Sequence, residues 1–256
     1  MYLIFAEAVS PWLALPGLGN IGFTLVFVLF ALVHCTAVEG LPRTAIFFTV
    51  SAVVSFLMEE AGVRTGLIFG PYHYGDALGA KLGHVPIIIP LAWFMMIYPS
   101  WMVAKAIVRG VNLLTLQGLI AQAAIASLVM TAWEVVMDPG MTAAGVWVWE
   151  QGGSYFGVPR HNYLGWLLTT FLVYLLTAAF WRRGGSPPAQ TRLFAALPVI
   201  VYAFFALRYV TAGWLKPLQV VALFSMGFPA LVALTQIFLS QNNFPRSSVS
   251  ASQEGR

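Results

Sequence analysis

Six of the nine acidic residues lie in two polar blocks, residues 59–86 and 134–166, which interrupt an otherwise apolar chain. Carboxyl groups can donate or accept a proton, and apolar surroundings favour their neutral, proton-donating form. Ionisable residues are costly in a bilayer, so such a cluster beside membrane spans predicts a functional site. The six acidic residues are Glu59, Glu60, Asp76, Glu134, Asp138 and Glu150.

Two of these carboxyl groups are predicted to lie at the ends of helices. Glu59 ends an apolar run, and Pro139 is expected to stop the helix that carries Asp138. The negative end of a helix disfavours an anion, so both positions favour a neutral acid when buried. Glu134 lies four residues before Asp138 and shares its helix face. We therefore predict a function for Glu59 and Asp138 first.

The other polar residues of the two blocks have simpler interpretations. Glu60, Asp76 and Glu150 are interpreted as solvated loop charges. The histidines lack the helical spacing or the cysteine partners of a metal site, so no metal ion is predicted and interfacial hydrogen bonding is expected instead. These histidines are His73, His84 and His161.

The composition places both blocks in a membrane protein. The chain is 59% hydrophobic and only 9% charged, with a mean hydropathy of +0.81, whereas soluble domains carry roughly 25% charged residues. Seven apolar runs are long enough to cross a hydrocarbon core of about 30 Å. We predict an all-α integral membrane bundle of about seven helices, which satisfy their own backbone polar groups. The runs are residues 20–38, 42–58, 86–108, 113–137, 163–181, 192–211 and 217–239.

This span count predicts the topology. The polar blocks join spans two to three and four to five, so both should emerge on one membrane face. Eight basic residues fall on the opposite face or in the tail and five on the face of the blocks, which favours the opposite face as cytoplasmic. The net charge of +4 is spread over short loops, so no nucleic-acid partner is predicted.

The ends of the chain are expected to differ from the bundle. Residues 3–16 are interpreted as an interfacial segment because prolines and Glu7 interrupt them. Residues 1–240 are predicted to form a single transmembrane domain. The polar, serine-rich residues 241–256 are predicted to be a disordered tail.

Beyond these physical patterns, the polar blocks resemble the two signatures of a membrane carotenoid-biosynthesis family. This family includes carotenoid 1,2-hydratases of the bisanhydrobacterioruberin hydratase and gamma-carotene 1'-hydroxylase type. The resemblance covers about residues 50–170, and it departs at Glu134, where the family is expected to have aspartate. In the first block the matching residues are Glu59, GVRTG at 62–66, FG at 69–70, Tyr72, Tyr74, LG at 78–79, VP at 85–86 and PLAW at 90–93. In the second block they are DP at 138–139, WVW at 147–149, YFGVP at 155–159 and NYLGW at 162–166.

The resemblance implies addition of water across the C-1,2 double bond of an acyclic carotenoid end group, giving a tertiary alcohol. Asp138 is the first choice for the acid, Glu59 the second, and Glu134 would position the water or act as a base. No redox cofactor is required. The implied substrate-binding residues are Tyr72, Tyr74, Trp93, Trp149, Asn162 and Trp166.

The implied partners are the acyclic carotenoid, water and the lipid bilayer of a prokaryotic cytoplasmic membrane, together with other carotenoid enzymes. Three alternatives stay open. Glu134 and Asp138 could hold magnesium and diphosphate in an intramembrane prenyltransferase, although such sites need several carboxylates. Intramembrane charges could line a transport pathway. The apolar groove could also belong to a lipid-binding scaffold, and each tryptophan alone fits an interfacial belt equally well.

Overall fold

The computed structural model describes residues 19–108, 115–181, 191–211 and 215–239. The predicted interfacial segment at 3–16 and the predicted tail at 241–256 lie outside these ranges.

Seven helices, long and apolar enough to span a membrane, confirm the predicted class and all seven predicted spans. The last of them, Lys216–Leu239, contains a π-helical turn at Leu223–Gly227. In chain order the helices are α1 Gly19–Glu39, α2 Leu41–Thr65, α3 Ile88–Ile107, α4 Leu116–Ala143, α5 Arg160–Trp181, α6 Arg192–Thr211 and α7 Lys216–Leu239.

The α3 helix lies at the centre of the bundle and packs against α1, α2, α4, α6 and α7. It is the most deeply buried of the seven spans. Its sequence is rich in aromatic residues and methionine, and these side chains fill the space between the surrounding helices. Phe47 of α2, for example, contacts the rings of Phe94 and Trp101 of α3 edge to face.

The second helix ends later than the sequence predicted. We expected Glu59 to end its span, but α2 continues for six more residues to Thr65. The actual stop is Gly66, which adopts a left-handed backbone with φ of 67° and donates its N–H to the carbonyl of Gly62. An ion pair between Arg64 and Glu60 at 3.4 Å supports this extra turn. Glu59 therefore lies inside the helix.

The predicted stop at Pro139 is also wrong, because α4 runs through the proline to Ala143. Proline lacks one backbone donor and crowds the preceding turn, but membrane helices tolerate it where neighbours support the freed groups. Here α5 packs along α4 more extensively than any other helix pair of the described chain. Asp138 is therefore held within a helix and not at its end.

Short strands join the two polar blocks. Strand β1, Tyr72–Tyr74, pairs antiparallel with β4, Trp147–Trp149, and Tyr72 lies opposite Trp149. Strands β2, Lys81–Leu82, and β3, Val85–Pro86, form a second small pair. The β1–β4 pairing confirms that the two blocks lie on the same face of the bundle.

The first block docks on α5 at a glycine. A Cβ atom on Gly165 would overlap the carbonyl oxygen of Ile68 and the ring of Phe69. The loop can therefore approach α5 closely only because position 165 has no side chain. This contact fixes the loop that leads into β1.

Replacing Gly165 by Ala should therefore destabilise the protein by about 1–3 kcal/mol, the usual cost of overpacking. Thermal unfolding of the detergent-purified protein measures the effect as a lower midpoint. Gly227→Ala is the matched control, because the nearest atoms to its Cβ lie at 3.7 Å. Equal midpoints for Gly165→Ala and the wild type would contradict this account of the loop.

Candidate functional site

A partly open cavity lies beneath the β1–β4 ribbon. Apolar and aromatic cavities with a few polar groups are the usual binding sites of small molecules or of one part of a larger molecule. Eight of the nine predicted site residues line the cavity. They are Glu59, Tyr72, Tyr74, Trp93, Asp138, Trp149, Asn162 and Trp166.

The carboxyl group of Glu59 is the most heavily hydrogen-bonded group of the cavity. Its Oε2 accepts hydrogen bonds from the hydroxyls of Tyr72 and of Tyr74, the latter at 2.8 Å. Its Oε1 accepts one from the indole Nε1 of Trp93 at 3.0 Å. Three donors on one carboxyl group match the acceptor capacity of an ionised carboxylate. Strand β1 and helix α3 together supply these donors.

The two tyrosines are fixed as donors. Burial, followed by the neighbouring Glu59 carboxyl, raises the pKa of the Tyr72 and Tyr74 hydroxyls well above the usual value of 10.0. Both hydroxyls therefore stay protonated into the alkaline range. Side chains alternate between the two faces of strand β1. Tyr72 and Tyr74 therefore both point inward, while His73 points to the surface.

Asp138 is also fully buried, but its hydrogen bonds differ in kind. Its Oδ1 accepts a hydrogen bond from the indole Nε1 of Trp147 at 2.7 Å. Its Oδ2 is bonded to the side-chain amide of Asn162. An amide carries both a donor and an acceptor, so after a flip Asn162 can bond the protonated or the ionised form of Asp138. Asp138 is therefore the group of the cavity best suited to exchange a proton.

Glu134 lies outside the cavity lining, unlike the other predicted site residues. Its side chain is fully buried, with 0% of its surface exposed. Among the described residues, neither carboxyl oxygen of Glu134 has a hydrogen-bond partner. It nevertheless lies one helical turn from Asp138 in α4.

Aromatic rings form the walls on either side of the carboxyl groups. Trp93 and Trp166 stack with ring centroids 3.7 Å apart and planes inclined by 7°. Tyr72 and Trp149 lie 5.0 Å apart across the strand pair. These tryptophans are buried, so they belong to the cavity and not to an exposed interfacial belt.

Sequence reasoning missed the residue that orients Asp138, which is Trp147. Strand alternation was the signal that could have found it, because Trp147 and Trp149 share one face of β4. The apolar part of the cavity lining was also missed, since methionines are common in any membrane helix. The apolar lining residues include Phe23, Met95, Met96, Met137 and Met141.

The remaining polar residues of the blocks lie at the surface and hold the loops together. His73 bonds Glu150 at 2.6 Å across the β1–β4 ribbon, and His84 bonds Glu60 at 2.9 Å. The exposure of these pairs makes their contribution to stability small. Within the described part of the chain, no three His, Cys, Asp or Glu side chains are grouped so that they could share a metal ion.

Comparison with known proteins yields one family and one curated relative. The family model described as "Carotenoid biosynthesis protein" matches residues 19–234. Bisanhydrobacterioruberin hydratase of Haloarcula japonica is 32% identical over 179 residues, which are 70% of this chain and 57% of that protein. The chain therefore spans a little over half of the length of this relative. No solved structure matches the chain.

The hydrogen bonds at Glu59 should contribute measurably to the free energy of unfolding. In a double-mutant cycle, Tyr74→Phe and Glu59→Gln should show a coupling energy of about 1.5–3 kcal/mol, the range for a hydrogen bond to a charged group. Denaturant unfolding in detergent measures each variant.

Tyr174→Phe serves as the control, because the Tyr174 hydroxyl donates to the carbonyl of Ile97 and not to Glu59. Combined with Glu59→Gln, it should be additive within about 0.5 kcal/mol. If the effects of Tyr74→Phe and Glu59→Gln on unfolding were additive, the hydrogen bond between these two side chains would contribute no coupling energy.

Proposed function

The chain belongs to the carotenoid biosynthesis protein family, and from this premise we propose that it is a hydratase that adds water to an acyclic carotenoid. The bond attacked is the C-1,2 double bond of the end group, and the product is a tertiary 1-hydroxy carotenoid. The named relative from Haloarcula japonica is itself a hydratase. The seven apolar helices make the protein an integral membrane protein, and a prokaryotic cytoplasmic membrane is the location that we propose.

The observation that carries this proposal is the pair of buried carboxyl groups that face one cavity and are held by neutral donors. Glu39, Glu60 and Glu150 pair with basic side chains. Glu59 and Asp138 instead accept hydrogen bonds from indole, phenol and amide groups. The charge of an ionised Glu59, and that of Asp138 once its proton has left, is thus available to a cation that forms in the cavity.

Hydration of a trisubstituted alkene forms such a cation. Asp138 donates its proton to C-2, so the O–H bond breaks, the π electrons form the new C–H bond, and a tertiary cation is left at C-1. A water molecule then forms the C–O bond at C-1. The excess proton of that water returns to the Asp138 carboxylate, so the enzyme ends in its starting state.

Glu59 has the complementary role of facing the cation as a fixed anion. Its three donors hold its position without neutralising its charge, as preorganised electrostatic catalysis requires. The aromatic walls assist, because a desolvated cation gains about 0.5–2 kcal/mol from the face of an aromatic ring. Trp93 and Trp149 line the same cavity as Glu59 and Asp138.

The apolar side of the cavity suits the chain that follows the end group. Methionine side chains adapt to irregular apolar shapes, and four of them line this side. A C-40 polyene is far longer than the cavity, so only its end group would enter. The remainder would lie among the helices or in the lipid.

Asp138→Asn should abolish hydration, because an amide cannot donate the required proton. The variant is expressed in a host that makes lycopene or another acyclic carotenoid, and the pigment extract is analysed by mass spectrometry. Wild-type protein should add the mass of one water per hydrated end. Glu59→Gln should retain a residual activity reduced by about 10²–10³-fold, the loss typical for one electrostatic stabiliser.

Glu150→Gln is the matched control, because the Glu150 side chain is exposed and bonds His73 at the surface. It should hydrate as the wild type does, at equal membrane expression. Full activity of Asp138→Asn would remove Asp138 from the acid role. Dependence on magnesium and an allylic diphosphate would instead support the prenyltransferase alternative.

A further inference from the structure

Three side chains of the second polar block carry buried polar atoms that have no hydrogen-bond partner among the described residues. They are both carboxyl oxygens of Glu134 and the hydroxyls of Tyr155 and Tyr163. An unpartnered buried polar group costs about 1–3 kcal/mol. In native proteins such groups are usually satisfied by ordered water.

These three residues form a series from the surface toward Asp138. Tyr155 lies in the loop before α5 and is partly buried, and its ring contacts that of Tyr163 with centroids 5.6 Å apart. Tyr163, in the first turn of α5, directly follows Asn162, whose side-chain amide bonds Asp138. Glu134 is fully buried and lies four residues before Asp138 in α4. The series thus leads from the loop before α5 to the neighbours of the proposed acid.

The series is separate from the cavity that would receive the carotenoid. Tyr155, Tyr163 and Glu134 are not part of the cavity lining, whereas Asp138 is. An end group that fills the cavity would close its apolar side to water. Hydration, however, needs one water molecule at C-1 for each turnover, so water must reach Asp138 by another path.

We propose that Tyr155, Tyr163 and Glu134 form a water path that supplies the nucleophile from behind Asp138. The two hydroxyls pass water inward by donating and accepting hydrogen bonds, and the carboxyl group of Glu134 holds the attacking molecule. This inference rests on the proposed hydratase function. It makes these residues positioning groups for water and leaves proton donation to Asp138.

The path has a distinct chemical consequence, because the tertiary cation has two fates. Water capture forms the C–O bond and gives the alcohol. Loss of a proton from C-2 back to the Asp138 carboxylate re-forms the alkene. In D2O this second fate leaves deuterium at C-2 of the recovered carotenoid. A defect in water delivery should therefore shift the cation from hydration toward deuterium exchange.

The experiment uses membranes that contain the full-length protein and an acyclic carotenoid in D2O. Mass spectrometry measures the hydrated product and the deuterium in the recovered substrate. Tyr163→Phe and, as an independent variant, Glu134→Gln should lower hydration on the order of tenfold. The ratio of deuterium exchange to hydration should rise by a similar factor.

Tyr174→Phe is the control, since it makes the same chemical change at a buried tyrosine further along α5. It should leave both the hydration rate and the ratio unchanged. A parallel fall of hydration and exchange in Tyr163→Phe and Glu134→Gln would overturn the water path, as would wild-type hydration in both. A wild-type protein that produces neither hydrated product nor exchange would overturn the hydratase function itself.

Discussion

The need to satisfy two buried carboxyl groups organises the functional half of this protein. A buried carboxyl group without partners is strongly destabilising, so Glu59 and Asp138 require donors from whatever elements lie nearby. Those donors come from β1, α3, β4 and α5. The β1–β4 ribbon brings the two sets of donors together, since Tyr72 and Tyr74 bond Glu59 and Trp147 bonds Asp138. The packing of the loops and the geometry of the site therefore depend on the same hydrogen bonds.

Another buried carboxyl group, Glu39 at the opposite end of the bundle, obtains its partners in a different way. Glu39 accepts a hydrogen bond from Lys105 at 2.6 Å and pairs with Arg43 at 3.4 Å. Its charge is neutralised and ties α1, α2 and α3 together. The hydrogen bonds of Glu59 come from neutral donors, so in the mechanism that we propose the charge of an ionised Glu59 would stay uncompensated. The charge of its partners, more than burial, distinguishes Glu39 from the carboxylate that we propose as a stabiliser of the cation.

Hydration of a polyene requires an apolar substrate and water to meet at one carbon atom. The cavity provides an apolar and aromatic lining that suits the polyene. The polar atoms of Glu134 and Tyr163 are not part of this lining, and in the proposed path they supply the water. Asp138 lines the cavity and is bonded to Asn162, which can bond it in either protonation state. Separate approaches for substrate and water would protect the cation from wasteful return to alkene.

The sequence by itself determined the membrane class, the seven spans and the shared face of the polar blocks, and it singled out Glu59 and Asp138, which both line the cavity. Hydropathy and charge along the chain are local properties, and the bilayer acts on them directly. Only the tertiary structure decided where α2 and α4 end, that Glu134 is not part of the cavity lining and that Trp147 bonds Asp138. Helix extension through Pro139 depends on the packing of α5, and the lining of the cavity depends on packing between helices. Such contacts join residues far apart in sequence, so no local pattern encodes them.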